Sequence, residues 1–340
     1  MVFILSKKGF DSSNGGIPSP AFAPTKNETG EEHYYPYLSL PIPYSENYCG
    51  PKGNKLTYSE ITKGLVLPGP KKQMSHLICD LIGRKYLWIN EKSSTRCVCD
   101  AYCHYDPMLD RWWKKRKEDD GFEAGLGQTG SFASSIDDVL SKNDGKEDVV
   151  FLFWGLFHEA TWDNENEAYT FIDGNDFYAI WGFMKICGTI RTIQELQDHQ
   201  FIKEHHAHVE MLPDGVVPKA KQEVIYYSTE GNDWIGDESF PHYGVFSYDP
   251  KDRDKNEGLI LSTKEGTRPR EWKLPPCFNG SLSHQESKAD ANGREDTPFT
   301  ISKRAQECVL TGENYGDCNS YLSNIFKHGI DTIQPDKTNS

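Results

Sequence analysis

The sequence predicts an α+β fold, a single domain whose strongly bent or barrel-like mixed β-sheet is flanked by helices. Two aromatic and β-branched runs dominate the middle of the chain, "VVFLFWGLF" at 149–157 and "FYAIWGFMKICGTI" at 177–190, which is strand composition. Shorter runs of the same kind, "EVIYYS", "GVFSY", "GLILST" and "EWKLP", carry the pattern on to residue 275, whereas helical signals sit mainly on the flanks. With 340 residues, of which 36% are hydrophobic, the chain can bury one full core.

The elements follow in order. "MVFIL" opens as a strand and runs into a Gly/Pro-rich loop, "SKKGFDSSNGGIPSP". "YLSLPIPY" (37–44) is a second extended piece, confined to an edge or an extended loop by its prolines. "LTYSEITKGLV" predicts a helix, with Thr57 as cap and Glu60 three residues on. "SSIDDVLSKN" (134–143) predicts another. In both central strands a glycine follows a tryptophan, at Trp154-Gly155 and Trp181-Gly182, and this marks a bulge or a close backbone approach. Residues 279–297 read as a loop and 301–326 as a closing strand and helix, so one domain spans 1–327 and a loose tail spans 328–340.

A formal net charge of −14 works against indiscriminate binding to a polyanion. The one basic strip, "RWWKKRK" (111–117), is followed at once by "EDD". It reads equally as a solvated charge run or as a phosphate-contacting strip with stacking tryptophans. The chain has nine cysteines, an odd set, and its opening apolar segment is too short for a signal peptide, so reduced thiols and a cytoplasmic location are expected. No stretch approaches the roughly 18 apolar residues of a membrane span.

Polar residues set among glycines and prolines give the candidate sites. In the opening loop, Lys8, Ser12, Ser13, Gly15 and Gly16 form a nest for phosphate or sugar, with Asp11 as its carboxylate. The loop matches no Walker or dinucleotide fingerprint, and a plain turn capped by Asp11 is the competing reading. "CVCDAYCHYDP" brings three cysteines near His104, but without the paired knuckles of a structural zinc site, and no metal is expected. His104 and Asp106 fall on one face of an extended segment and make an acid/base pair; an Asp-Pro turn with a surface histidine competes. In "EHHAHVE", His206 and His208 share a face if extended, although exposed loop histidines are the commoner case. "RAQECVL" sets Arg304, Gln306 and Glu307 beside an apolar strand.

Taken in order, "KKGFDSSNGGIPSP", "SLPIP", "CHYDP", "GLGQTG", "VVFLFWGLF", "AIWGFMKICG", "HAHV", "EWKLP" and "RAQECVL" resemble the third of the nucleotide-modification-associated domain families. The resemblance runs from about Val2 to about Ile325. It implies a role in modifying DNA bases, assigned to that group from its gene surroundings in bacteria and their viruses, with no reaction attached. The polar positions it carries over are Lys8, Asp11, Ser12, His104, Asp106, Gln128, His206, His208, Arg304, Gln306 and Glu307. Ala305 and Ala207 depart from the family's usual glycine and proline. "FLFWG" and "AIWGFMKICG" are also similar to strands of PUA-like barrels, the EVE and ASCH group, which would make Trp154 and Trp181 stacking residues for a base.

Three readings follow. An enzyme of nucleotide or nucleic-acid base modification would use Asp11, His104, Asp106, Arg304, Gln306 and Glu307 for chemistry, and Gln128, Trp154, Trp181, His206 and His208 to hold substrate. A PUA-like reader would bind a modified base without turnover, and a regulatory partner would act inside a modification or defence complex. The expected partner is a nucleotide or nucleic acid, DNA before RNA, with further proteins of a modification system and no membrane. No cofactor is named by the sequence.

Overall fold

The computed structural model describes residues 2–10, 16–26, 29–43, 56–61, 67–71, 73–83, 86–89, 94–109, 121–145, 148–218, 222–231, 240–250, 258–262, 271–272, 282–283, 299–300, 307–311, 321, 323 and 325–326. The strands that position the site are β1 (Val2–Lys7), β2 (Ser19–Phe22), β3 (Tyr102–His104), β4 (Ala124–Thr129), β5 (Val149–Asp163), β6 (Ala168–Phe171), β7 (Phe177–Lys185), β8 (Gly188–Ile190), β9 (Glu223–Ser228), β10 (Tyr243–Val245), β11 (Leu282–Ser283) and β12 (Glu307–Thr311). The helices are α1 (Met74–Ile82), α2 (Gly130–Asn143) and α3 (Gln200–His205).

The main sheet runs β10-β7-β5-β1-β12-β11, with β2 and β6 pairing the far half of β5. Among the described residues this order does not close, so the barrel-like expectation is corrected to an open mixed sheet. β1 lies parallel to β5 and antiparallel to β12. Val2 to Ser6 are all buried, as expected of a strand flanked by neighbours and covered on both faces. The paired central runs predicted from composition are β5 and β7, which pack antiparallel.

β5 sets the position of the opening loop. β1 pairs with it up to Lys7 opposite Trp154, and β2 rejoins the same edge at Ser19 opposite Phe157. β1 and β2 are therefore two strand segments that share one neighbour, with the opening loop between them in sequence. Just past β1 the Lys8 N–H donates to the Trp154 carbonyl at 2.8 Å, and the register of β5 against β7 shifts between Phe153 and Trp154. A Cβ on Gly155 would stand 2.8 Å from the Lys8 carbonyl, and one on Gly182 would stand 2.8 Å from Leu109. Both Trp-Gly pairs thus mark close approaches, as their sequence predicts.

A second, antiparallel sheet, β4-β9-β8, lies beside the first, and β3 belongs to a third. The segment 56–61 departs from its expected helix. Leu56–Thr57 pair with β3, and a turn follows in which Glu60 Oε2 accepts from the Thr57 N–H at 2.6 Å and from Thr57 Oγ1 at 2.9 Å. The capping contact forms without the described residues going on into a helix. The helix predicted at 134–143 is α2, which starts at Gly130. The tail 328–340 and the basic strip 111–117 lie outside the described residues.

α2 is tied to the second sheet through Asp137. Its carboxylate accepts from Arg191 Nη1 and Nη2 at 2.8 and 2.7 Å, from Gln222 Nε2 at 2.7 Å and from the Tyr226 hydroxyl at 3.2 Å. Burial would raise its pKa, but these donors together hold it below the ordinary carboxylate range. The stabilisation is therefore present above the unfolded value of about 3.9 and is lost as pH falls through the lower folded value. Asp137→Ala is expected to cost about 2 kcal/mol at pH 7, read from denaturant unfolding, and to narrow its deficit against wild type as pH falls below about 4.

Candidate active site

Asp106 is the centre of the site. It follows β3 immediately, and two residues later Met108 exchanges backbone hydrogen bonds with Gly125 of β4, at 2.8 and 3.0 Å. That bridge draws the Tyr105-Asp106-Pro107 turn, with its cis Asp106–Pro107 bond, in between the end of β1 and β4. The Asp106 side chain is 1% exposed. Its Oδ1 accepts from the Gly127 N–H at 2.7 Å and lies 3.4 Å from His206 Nε2. Its Oδ2 accepts from Lys8 Nζ at 2.9 Å and lies 3.8 Å from both His104 Nε2 and His208 Nε2. His104 and Asp106, read together from "CHYDP", are thus neighbours in space, and the groups around Asp106 come from four separate stretches.

His206 and His208 correct the expectation of exposed loop histidines. Both are buried, just beyond the end of α3, and the His208 N–H donates to His206 Nδ1 at 3.2 Å. With Nδ1 accepting, the proton of a neutral His206 ring sits on Nε2, facing Asp106. Space for the rings comes from "GLG" in β4. A Cβ on Gly125 would stand 2.6 Å from the His206 ring, and one on Gly127 would meet the His208 ring more closely still. Side chains would close this wall of the strand, so alternate glycines leave it to the two imidazoles.

Glu223, on β9, completes the set. It is buried and hydrogen-bonded to His208 Nδ1, while His208 Nε2 lies 3.1 Å from His104 Nε2. Glu223, His208 and His104 therefore form one hydrogen-bonded row that ends beside Asp106.

Electrostatics divide these groups. Burial pushes His104 down to about 4 and His208 down to about 3, so both rings are neutral at pH 7. Burial and the nearby Asp106 charge push Glu223 up to about 8. Burial acts in the same direction on Asp106, but the Lys8 ammonium and the adjacent His104 and His206 rings outweigh it and hold the carboxyl well below its usual range. One permanent anion thus stands among neutral imidazoles, a protonated carboxyl and one ammonium. That set offers a fixed negative charge at Asp106 and a His104–His208–Glu223 row along which a proton can pass.

A narrow cleft with room for about one water molecule reaches Asp106 between Gly9, Ser39, Tyr105 and Trp181. Trp181 is buried, lines this cleft, and its Nε1–H has no acceptor among the described residues. Trp154, the other stacking candidate, is 1% exposed and packs edge-on against Trp272 and Tyr178. It belongs to the core and presents no face to a base. Gln128 is buried, one residue past Gly127, so strand alternation turns it away from the histidine wall.

The remaining sequence candidates are more scattered. Lys8 spends its ammonium on Asp106, and Gly16 is exposed with open space around it. Asp11, Ser12, Ser13, Gly15, Arg304 and Gln306 lie outside the described residues. Glu307 begins β12, its backbone opposite Ser6 of β1. Glu223 was missed, because a glutamate at the head of an apolar strand carries no local mark. Gly125 and Gly127 carried one, since glycine at alternate strand positions signals room for something on that face.

The ligand atoms of His104, Asp106 and His208 lie within 4.8 Å of one another, a grouping that the cysteine spacing around His104 did not foretell. Cys97 and Cys99 stay apart from this cluster as a thiol pair 2.7 Å apart, and the Cys103 thiol donates to the Leu56 carbonyl. Gly127→Ala is expected to force the His208 ring from its seat and to lower stability by about 2 kcal/mol, because the strand backbone cannot yield cheaply. Gly215→Ala, where an added Cβ meets nothing within 4 Å, is the control and should stay within about 0.5 kcal/mol of wild type. Chemical unfolding of both variants measures the contrast.

Comparison with known proteins finds no curated protein and no solved structure that matches the chain. A family match does exist, and it covers residues 3–311, nearly the whole of the main sheet and every residue of the Asp106 cluster. The chain belongs to the family described as nucleotide modification associated domain 3.

Proposed function

We propose that this protein is an enzyme acting on a nucleobase, in a nucleotide or a nucleic acid, with Asp106 as the fixed anion of its site and the His104–His208–Glu223 row as its proton path. The observation that carries the reading is the ionised, buried Asp106 on the wall of a cleft, with two neutral imidazoles on one of its oxygens and a protonated carboxyl behind them. Desolvation makes such a constellation costly to keep, and the shifted groups concentrate at one point on the cleft wall. Membership of a nucleotide-modification family supplies the substrate class. The net charge of −14 disfavours a grip on long stretches of backbone, so recognition rests on the base and its own sugar and phosphate. The opening loop, which leaves the sheet beside Lys8, supplies the phosphate or sugar contacts in this reading, and DNA is favoured over RNA.

Trp181 in the cleft wall favours one alternative, a reader that holds a modified base by stacking without turnover. Asp106→Ala would not separate the two readings. It strips the partner from Lys8 and the acceptor from the Gly127 N–H, so it destabilises the fold as well.

The test is nucleoside mass spectrometry of DNA and RNA from cells making wild type, Asp106→Asn or His104→Ala, with the thermal midpoint of each purified chain recorded alongside. The enzymatic reading expects a nucleoside change with wild type that falls by about 100-fold or more in both variants while they remain folded. Wild-type levels of the change in folded Asp106→Asn would overturn it. Unchanged nucleosides, together with binding of a modified oligonucleotide that Trp181→Ala weakens by about 1–3 kcal/mol, would put the reader in its place.

A further inference from the structure

We infer that His104, Asp106 and His208 form a binding site for one divalent transition-metal ion. The three ligand atoms define a triangle, with His104 Nε2 and His208 Nε2 3.1 Å apart and each 3.8 Å from Asp106 Oδ2. The circumcentre of a triangle with these sides lies about 2.1 Å from every corner, which is the bond length of Zn(II) to imidazole nitrogen and carboxylate oxygen. Two imidazole nitrogens and one carboxylate oxygen are also a three-donor set that leaves coordination positions open for water or substrate.

The groups around the triangle are placed as outer-shell groups are. Glu223 holds His208 Nδ1, which leaves Nε2 of that ring directed inward. A glutamate side chain on the second ring nitrogen is a common way of orienting a ligand imidazole. Asp106 Oδ1 is taken up by the Gly127 N–H at 2.7 Å, with His206 Nε2 at 3.4 Å, so Oδ2 is the oxygen turned toward the two rings. Lys8 Nζ approaches that same oxygen at 2.9 Å, and a carboxylate oxygen offers a second lone pair for it. All three ligand side chains are at most 10% exposed, and the His208 ring is seated against Gly127 of β4, so the geometry is set before any ion arrives.

As a binding site this inference rests on the triangle; as a catalytic ion it rests on the enzymatic reading above. The test uses the purified full-length chain, stripped with a chelator, then given Zn(II) and desalted, with bound metal measured by elemental mass spectrometry. A parallel Co(II) titration reads the coordination from its visible absorption. Wild type is expected to retain one equivalent, His104→Ala and His208→Ala to retain almost none, and Glu223→Gln to bind about 10- to 100-fold more weakly. Zn(II) should raise the thermal midpoint of wild type and leave that of the ligand variants unmoved. If the alanine variants do not fold, His104→Gln and His208→Gln, which keep more of the side-chain volume, replace them.

The inference is overturned if wild type retains no metal. It is equally overturned if uptake survives loss of either histidine and disappears only in Cys97→Ser/Cys99→Ser. The two levels separate cleanly. A nucleoside change without metal uptake removes the ion and leaves the enzymatic reading standing, whereas uptake without any nucleoside change keeps the ion site and removes that reading.

Discussion

The pairing of Lys8 with Asp106 is the interaction on which the rest of the site depends. An ionised carboxylate whose side chain is 1% exposed is stable only if donors replace its lost water, since an unpaired buried charge costs several kcal/mol. Lys8 supplies the opposite charge, the Gly127 N–H a hydrogen bond at 2.7 Å, and His206 a third contact. Each donor comes from a different part of the chain. Satisfying one carboxylate therefore requires the end of β1, the turn after β3, the strand β4 and the segment after α3 to meet at a single point.

The sheet arrangement makes that meeting feasible. β1 ends where β5 exchanges one parallel neighbour for another, and the bulge and glycine at that position let the chain turn out of the sheet with Lys8 at its rim. On the opposite side, β4 presents alternate glycines, and the rings of His206 and His208 fill the volume that side chains would have taken. Those empty positions do more than admit the rings. They let the Gly127 N–H approach Asp106 without a side chain in the way, so one residue serves as seat and as donor. The same centre that stabilises Asp106 as an anion also surrounds it with neutral groups, which is what gives it chemical potential beyond a structural ion pair.

What the sequence made legible follows from the range of each interaction. Strands with continuous apolar runs, the Trp-Gly irregularities, the helix over α2 and the pairing of His104 with Asp106 are local, and residue order alone exposes them. His208 lies 104 residues from His104 and Glu223 stands at the head of an ordinary strand, so no local pattern announces their convergence. The histidines of "EHHAHVE" read as exposed for the same reason: the glycine face that buries them is some eighty residues away. Trp154 shows the opposite error, since likeness to PUA-like strands makes it a stacking residue while packing against Trp272 and Tyr178 makes it core. The barrel expectation failed because aromatic strands and bulges bend a sheet without closing it. Thr57 and Glu60 made their capping contact, yet pairing of Leu56–Thr57 with β3 decided the local conformation.

The most direct test of this account is a double-mutant cycle on unfolding free energy with Lys8→Met, Asp106→Asn and the combined variant. If the pair anchors the centre, the two substitutions couple by about 1.5–3 kcal/mol, the combined variant being far more stable than the sum of the single losses allows. Additivity within about 0.5 kcal/mol would contradict it, because Asp106 would then be held without Lys8 and the end of β1 would have no part in forming the site.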